Sequence, residues 1–182
     1  MKNNNFFFND YFSDLKDKIE NVDLERLEKF TNLIKKIKKN KNKVIIVGNG
    51  GSAAMASHVS VDLTKVAKVR CINFNESDLI TCFANDYGYE NWVSQSLEFY
   101  ADKNDLVILI SSSGNSKNII NAAKKALEMK LHLVTFSGFK KNNKLSKYGN
   151  LNFWVDSSSY NKVEMTHHIW LLAVVDLLAC NT

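Results

Sequence analysis

Ser111, Ser112, Ser113, Gly114, Asn115 and Ser116 place four hydroxyl side chains within six residues, after an apolar run and before a helical pattern. A helix N-terminus presents free backbone N–H groups and the positive end of its dipole, so it holds anions, and hydroxyls add donors at short reach. No lysine stands in this loop and the chain has no GxxxxGK[ST]. That excludes a nucleotide P-loop and leaves a phosphate monoester as the guest that fits. Helix capping is the plainer alternative, although a single serine suffices for it.

A second break, Gly48, Asn49, Gly50, Gly51 and Ser52, follows another apolar run. Glycines here either let a ligand approach the backbone or make an ordinary strand-to-helix turn. The spacing is not GxGxxG with an acidic residue about 20 positions on, so a dinucleotide site is a poor match. His58 and Asp62 stand four apart on the helix that follows, on one face. An imidazole and a carboxylate together serve acid/base chemistry, metal ligation or a plain surface contact. Glu164, His167 and His168 open the last, otherwise apolar helix, with Glu164 and His168 again four apart. Acids are favoured at a helix start and histidines are not, so decoration of the helix start explains only part of this cluster. The segment Asn85-Asp86-Tyr87-Gly88-Tyr89 reads as a turn in which Asp86 is able to hold a sugar hydroxyl.

These groups need elements to position them. Residues 6–20 and 23–40 read as helices, the second with Leu24, Leu27, Phe30, Leu33, Ile34 and Ile37 at amphipathic spacing. The runs 43–47, 70–74, 105–110, 132–136 and 151–155 read as strands. Helices are expected over 52–63, 89–100, 117–130 and 161–179. Strands alternating with helices predict an α/β three-layer sandwich with a five-stranded parallel sheet behind an N-terminal helical pair. Ligands of such sheets bind outside the carboxyl ends of the strands, where both breaks lie. The expectation is a single domain over 1–182, with helices in 1–42 and the α/β core in 43–182.

The 182 residues are 45% hydrophobic and 24% charged, ordinary for a globular chain. No apolar run of about 18 residues offers a membrane span, and the N-terminus does not read as a secretory signal. Three cysteines without a CxxC exclude a disulfide scaffold and suit a reducing cytoplasm. The formal charge of +5 is concentrated in the lysines of 35–43 and 140–147. Neither stretch interleaves aromatics as a single-strand nucleic-acid groove does, so steering of anionic metabolites is the expected use.

GNGGSAA with His58 and Asp62, NDYGYE and SSSGNS, in that order, resemble the sugar isomerase (SIS) domain family, and within it the phosphoheptose isomerase branch. The resemblance runs over nearly the whole chain. It implies a flavodoxin-like SIS fold and aldose–ketose isomerisation of a phosphorylated sugar such as sedoheptulose 7-phosphate, for the heptose of lipopolysaccharide or capsule. It implies a homotetramer with sites between subunits; the cysteine usage, charge, hydropathy and missing nucleotide motifs set the expectation of a cytoplasmic protein without a nucleotide cofactor and without nucleic-acid or membrane partners. By position, Asn49, Gly50, Gly51 and Ser52 match the sugar-binding loop, and Asn85 and Asp86 a substrate-contacting pair. Ser111, Ser112, Ser113 and Ser116 match the phosphate cradle, and His167 a histidine beside the site. His58 matches a ligand of a zinc-type metal.

The remaining positions depart from the family. Asp62 stands in place of a glutamate that is metal ligand and acid/base, Glu164 in place of a glutamine, and Leu172 in place of a second catalytic and metal-binding histidine. The shorter aspartate draws its carboxylate back by about 1.5 Å, and such a displacement costs about a hundredfold in rate when uncompensated. Residues 164, 168 and 172 step by four along one helix face, so His168 is the visible replacement for the lost histidine. The expected catalytic set is Glu164 or Asp62 as base with His58 or His168 as acid, and the expected metal set is His58, Asp62, Glu164 and His168. The alternative is a sugar-phosphate-binding or partner-binding protein that kept the cradle and lost the chemistry, as Leu172 suggests.

Overall fold

A computed structural model describes residues 4–180, so the ends of the expected domain, 1–3 and 181–182, lie outside the described residues. Two helices lead, α1 (Asn4–Glu20) and α2 (Leu24–Lys39). Asp23 caps α2 by accepting the Arg26 N–H. Five strands follow: β1 (Val44–Val47), β2 (Cys71–Ile72), β3 (Leu106–Ser111), β4 (His132–Ser137) and β5 (Leu151–Trp154). Between and after them run α3 (Gly51–Lys65), α4 (Ser77–Tyr87), α5 (Trp92–Tyr100), α6 (Lys117–Glu128) and α7 (Tyr160–Cys180). All strand pairs are parallel, in the order β2-β1-β3-β4-β5.

The chain starts at β1, steps outward to β2, and returns to the other side of β1 as β3. The strand order therefore reverses between β1 and β3, which opens a crevice at their carboxyl ends. β1 and β3 are buried throughout because both sheet faces are covered. Ile46 and Ile108 turn to one face, where α2, α3 and α7 bring Phe30, Val59 and Trp170. Ile45 and Val107 turn to the other, against Trp92 and Leu97 of α5 and Ile119 and Ala123 of α6.

The amino ends of the same two strands are pinned together by Asp105. It is fully buried. Its carboxylate accepts the Lys43 N–H at 2.9 Å and the Asp102 N–H at 2.8 Å. It also pairs with the Lys43 ammonium at 2.6 Å. Burial works to lower the pKa of that ammonium, and its bonds to Asp102 and Asp105 outweigh this and leave it raised.

Two elements differ from expectation. The 70–74 strand shrinks to Cys71–Ile72, because β2 is an edge strand with β1 as its one neighbour. The turn expected at 85–89 is instead the end of α4, an element the sequence reading missed, closed by Gly88 at φ 83°. Leu79, Ile80, Phe83 and Ala84 pack it against the α5–α6 layer without any residue being fully buried, so its apolar signal is weak.

α7 has 21 residues with a mean hydropathy of 1.4 in its most apolar window. By length and composition it is able to cross a membrane, although no uninterrupted apolar run predicted that. Here Val163, Trp170, Leu171, Val174, Val175 and Leu178 are buried in the core.

Candidate active site

β1 and β3 deliver the two breaks side by side at the point where the strand order reverses. α3 begins after Gly50, which adopts φ 56°, and α6 begins after Ser116; neither helix has a side-chain cap. The serines are therefore not spent on capping. Ser111 Oγ instead bonds Ser116 Oγ at 3.1 Å, and Ser113 Oγ accepts the Asn115 N–H at 3.2 Å. Gly114, at φ 64°, turns the loop so tightly against buried Asn143 that a Cβ there would lie 2.1 Å from the Asn143 amide oxygen.

The two breaks enclose a cavity of about 90 Å³ lined by Asn49, Ser52, Tyr160, Glu164 and the hydroxyls of Ser111, Ser112, Ser113 and Ser116. Ordinary ligand pockets run from about 300 to 1,000 Å³, so this one takes a group and not a whole sugar. Asn49 is held by reciprocal amide bonds with buried Asn118, at 3.0 and 2.8 Å, and by the Tyr89 hydroxyl at 3.2 Å.

Glu164 is the one carboxylate in this lining. It enters from α7, with Oε1 3.5 Å from Ser112 Oγ. A Cβ at Gly51 would lie 2.1 Å from Glu164 Oε2, so the glycine makes room for the carboxylate. Burial raises the Glu164 pKa, and bonds from Ser112 and Ser52 work against the rise. One turn further along α7, His168 Nε2 lies 3.0 Å from His58 Nδ1, and His58 Nε2 lies 3.2 Å from Asp62 Oδ2. Burial and the neighbouring His58 lower the His168 pKa, while Asp62 works to raise it. The α3–α7 seam thus carries a carboxylate at the cavity and an Asp-His-His chain beyond it.

The profile of the SIS domain matches residues 7–138, well over half of the chain. The chain belongs to the SIS domain family. Phosphoheptose isomerases are its similar relatives: that of Aliarcobacter butzleri is 34% identical over 79% of this chain and 78% of its own. That of Helicobacter pylori (strain ATCC 700392 / 26695) is 31% identical over 85% and 83%. A solved phosphoheptose isomerase from Neisseria gonorrhoeae superposes with a TM-score of 0.89 over 97% of this chain and 98% of its own, at 23% identity, a likeness of fold.

In this SIS domain, Asn85 and Asp86 stand exposed at the end of α4 and bond each other at 2.9 Å, outside the cavity lining. Gly50 and Gly51 shape the loop without lining the cavity, and His58, Asp62 and His168 stand outside the lining too. Leu172 is half-buried against the apolar core. The expected metal set also looks different in place. A zinc ion needs free lone pairs on its ligands. His58 spends both ring nitrogens, on His168 and Asp62. Among the described residues no group of three or more histidine, cysteine, aspartate or glutamate side chains is arranged to hold a metal ion. As arranged, the donor set does not fit the ion, and no step below passes through it.

His167 points the other way from its neighbour, into the core. Its Nε2 lies 3.0 Å from the Ser137 carbonyl, to which it donates when neutral. Among the described residues its Nδ1 has no partner. Burial pushes its pKa down to about 4, against the pull of the Ser137 bond. An unfolded histidine titrates near 6.5, so between those values the unfolded chain takes a proton that the folded chain refuses. The resulting stability is complete above pH 6.5 and is lost as the pH falls to 4, by about 3 kcal/mol. Glu164, raised above its unfolded value, acts in the opposite direction over its own range. His167→Gln keeps an amide donor for Ser137 and removes the titration. Urea unfolding between pH 6.5 and 4 should cost the wild type about 3 kcal/mol more than this variant; equal losses would assign the titration elsewhere.

Proposed function

We propose that the chain isomerises a phosphorylated sugar between aldose and ketose forms, with sedoheptulose 7-phosphate as substrate. The observation that carries this is the serine-lined cavity with a single carboxylate in its wall. The hydroxyls of Ser111, Ser113 and Ser116 and the uncapped start of α6 hold the phosphoryl group, a non-reacting handle whose binding energy positions the sugar. The loop Asn49 to Ser52 receives the sugar hydroxyls, and Asn85 and Asp86 contact the sugar where it leaves the cavity. Glu164 removes the proton from the carbon next to the carbonyl, and its raised pKa brings it nearer the working range of a base at neutral pH. His168, backed by His58 and Asp62, exchanges protons with the two oxygens of the enediol. The proton returns to the neighbouring carbon, so the reaction is balanced without an external acceptor.

The relatives' name, phosphoheptose isomerase, supports a phosphorylated heptose as the substrate; a place in heptose synthesis for lipopolysaccharide or capsule, in the cytoplasm, is our reading from the resemblance of the motifs. We read the chain as one domain that assembles as a homotetramer with sites between subunits. Phe6, Phe7, Phe8 and Phe12 support assembly, because α1 leaves all four more than half exposed.

The test is turnover of sedoheptulose 7-phosphate by the purified protein, beside calorimetric binding of the same compound. Turnover that disappears in the Ser111→Ala/Ser116→Ala variant is expected. Binding without turnover would instead support the sugar-phosphate-binding reading that Leu172 raises, and absence of both would end the proposal.

A further inference from the structure

A second cavity, of about 430 Å³, shares no lining residue with the serine cavity. One wall is α6, where Lys117, Ile120, Asn121 and Lys124 fall three, four and seven residues apart and so form one stripe. The facing wall is the short 3-10 turn Leu145–Lys147, which packs on α6 and carries Lys147, with Lys144 just before it. Lys144 and Lys147 both line the cleft and, like Lys117 and Lys124, are exposed. Buried Ile120 and half-buried Tyr148 give the cleft an apolar element. Its size falls within the ordinary range for small-molecule sites, about 300 to 1,000 Å³.

The charge is the unusual feature. Four lysines face this cleft, against Glu90 as the one carboxylate in the lining. None of Lys117, Lys124, Lys144 and Lys147 forms an ion pair among the described residues. Lys125, next to Lys124 but off the cleft, is paired with both Glu98 and Glu128 at 3.3 Å. Like charges on two facing walls repel until an anion lies between them. A short phosphate chain offers two or three anionic groups to these four lysines, where a single phosphoryl group offers one.

We propose that this cleft binds an oligophosphate, either inorganic pyrophosphate or the phosphate chain of a nucleoside di- or triphosphate. It is a binding site separate from the isomerisation, and the bound anion takes no part in that chemistry. Lys117 and Lys124 hold the chain from α6, Lys144 and Lys147 hold it from the turn, and Tyr148 lies where a nucleoside would pack. The proposal does not rest on the isomerase reading.

The experiment is calorimetric titration of the full chain with pyrophosphate and, separately, with ATP, at about 50 mM salt, where surface charge is only weakly screened. One site that depends on these lysines is expected per chain, in addition to any uptake by the serine cavity. Two independent variants, Lys124→Gln/Lys147→Gln and Lys117→Gln/Lys144→Gln, should each weaken binding by at least about tenfold, since each removes a charge-assisted contact from both walls. Ser111→Ala/Ser116→Ala should leave it unchanged. Equal affinity for the two ligands assigns recognition to the phosphates, and tighter ATP binding adds a nucleoside contact; both uphold the proposal. It is overturned if neither ligand binds, if the serine variant loses pyrophosphate while both lysine variants keep it, or if duplex DNA binds these lysines more tightly than pyrophosphate does.

Discussion

Glu164→Gln lowers kcat for sedoheptulose 7-phosphate by about 10²- to 10⁴-fold, the range that a positioned acid/base group supplies, while affinity for the sugar phosphate stays within about threefold. Glutamine keeps the length of the side chain and an oxygen for Ser112, so the cavity retains its shape. What disappears is the capacity to take a proton from carbon. Burial in the wall raises the carboxyl pKa, so the wild-type activity should rise with pH as this group ionises, and the variant should lack that limb of the profile. The substitution restores the residue that the SIS resemblance leads one to expect at this position. A variant retaining turnover within about threefold would therefore move the base to Asp62 and its chain through His58 to His168. His168→Gln would then carry the large loss.

Asp105→Ala costs about 3 to 5 kcal/mol of unfolding free energy, the usual penalty for breaking a buried ion pair from one side. It leaves the Lys43 ammonium dependent on exposed Asp102 and strips the acceptor from the N–H groups of Lys43 and Asp102. For a chain of this length the thermal midpoint should fall by roughly 10 °C. Asp105→Asn, which keeps one carbonyl acceptor, should lose less. Urea unfolding of the three proteins measures the series, and a loss below about 1 kcal/mol for the alanine variant would mean the pair contributes little. The site should feel the change as well, because Lys43 and Asp105 anchor the strands whose far ends carry the Asn49–Ser52 and Ser111–Ser116 loops.

The parallel sheet was legible because Val44–Val47 and Leu106–Ile110 are continuous apolar runs, as strands covered on both faces must be. The serine break was legible for the opposite reason, since four hydroxyls beside a buried run have no packing use. α4 was not legible: half-exposed, its apolar residues share their segment with Asn85, Asp86 and Gly88, whose turn signal is the stronger. The placement of Asn85 and Asp86 outside the cavity lining followed from that missed helix. The different directions of His167 and His168 were equally hidden. Adjacent residues on a helix point about 100° apart, and only the packing of α7 on the sheet and α3 says which one meets the core.

From the order of its residues alone this chain determined its alternating elements, its phosphate-suited hydroxyl loop and its family, because periodicity and motif spacing are local properties of a polymer. The tertiary structure decided that the reversal of strand order falls between β1 and β3, that Glu164 and not His58 or Asp62 enters the serine cavity, and that four exposed lysines line one cleft. Those facts depend on which strand lies beside which and how helices pack over them, and such long-range contacts are written in no single stretch of sequence.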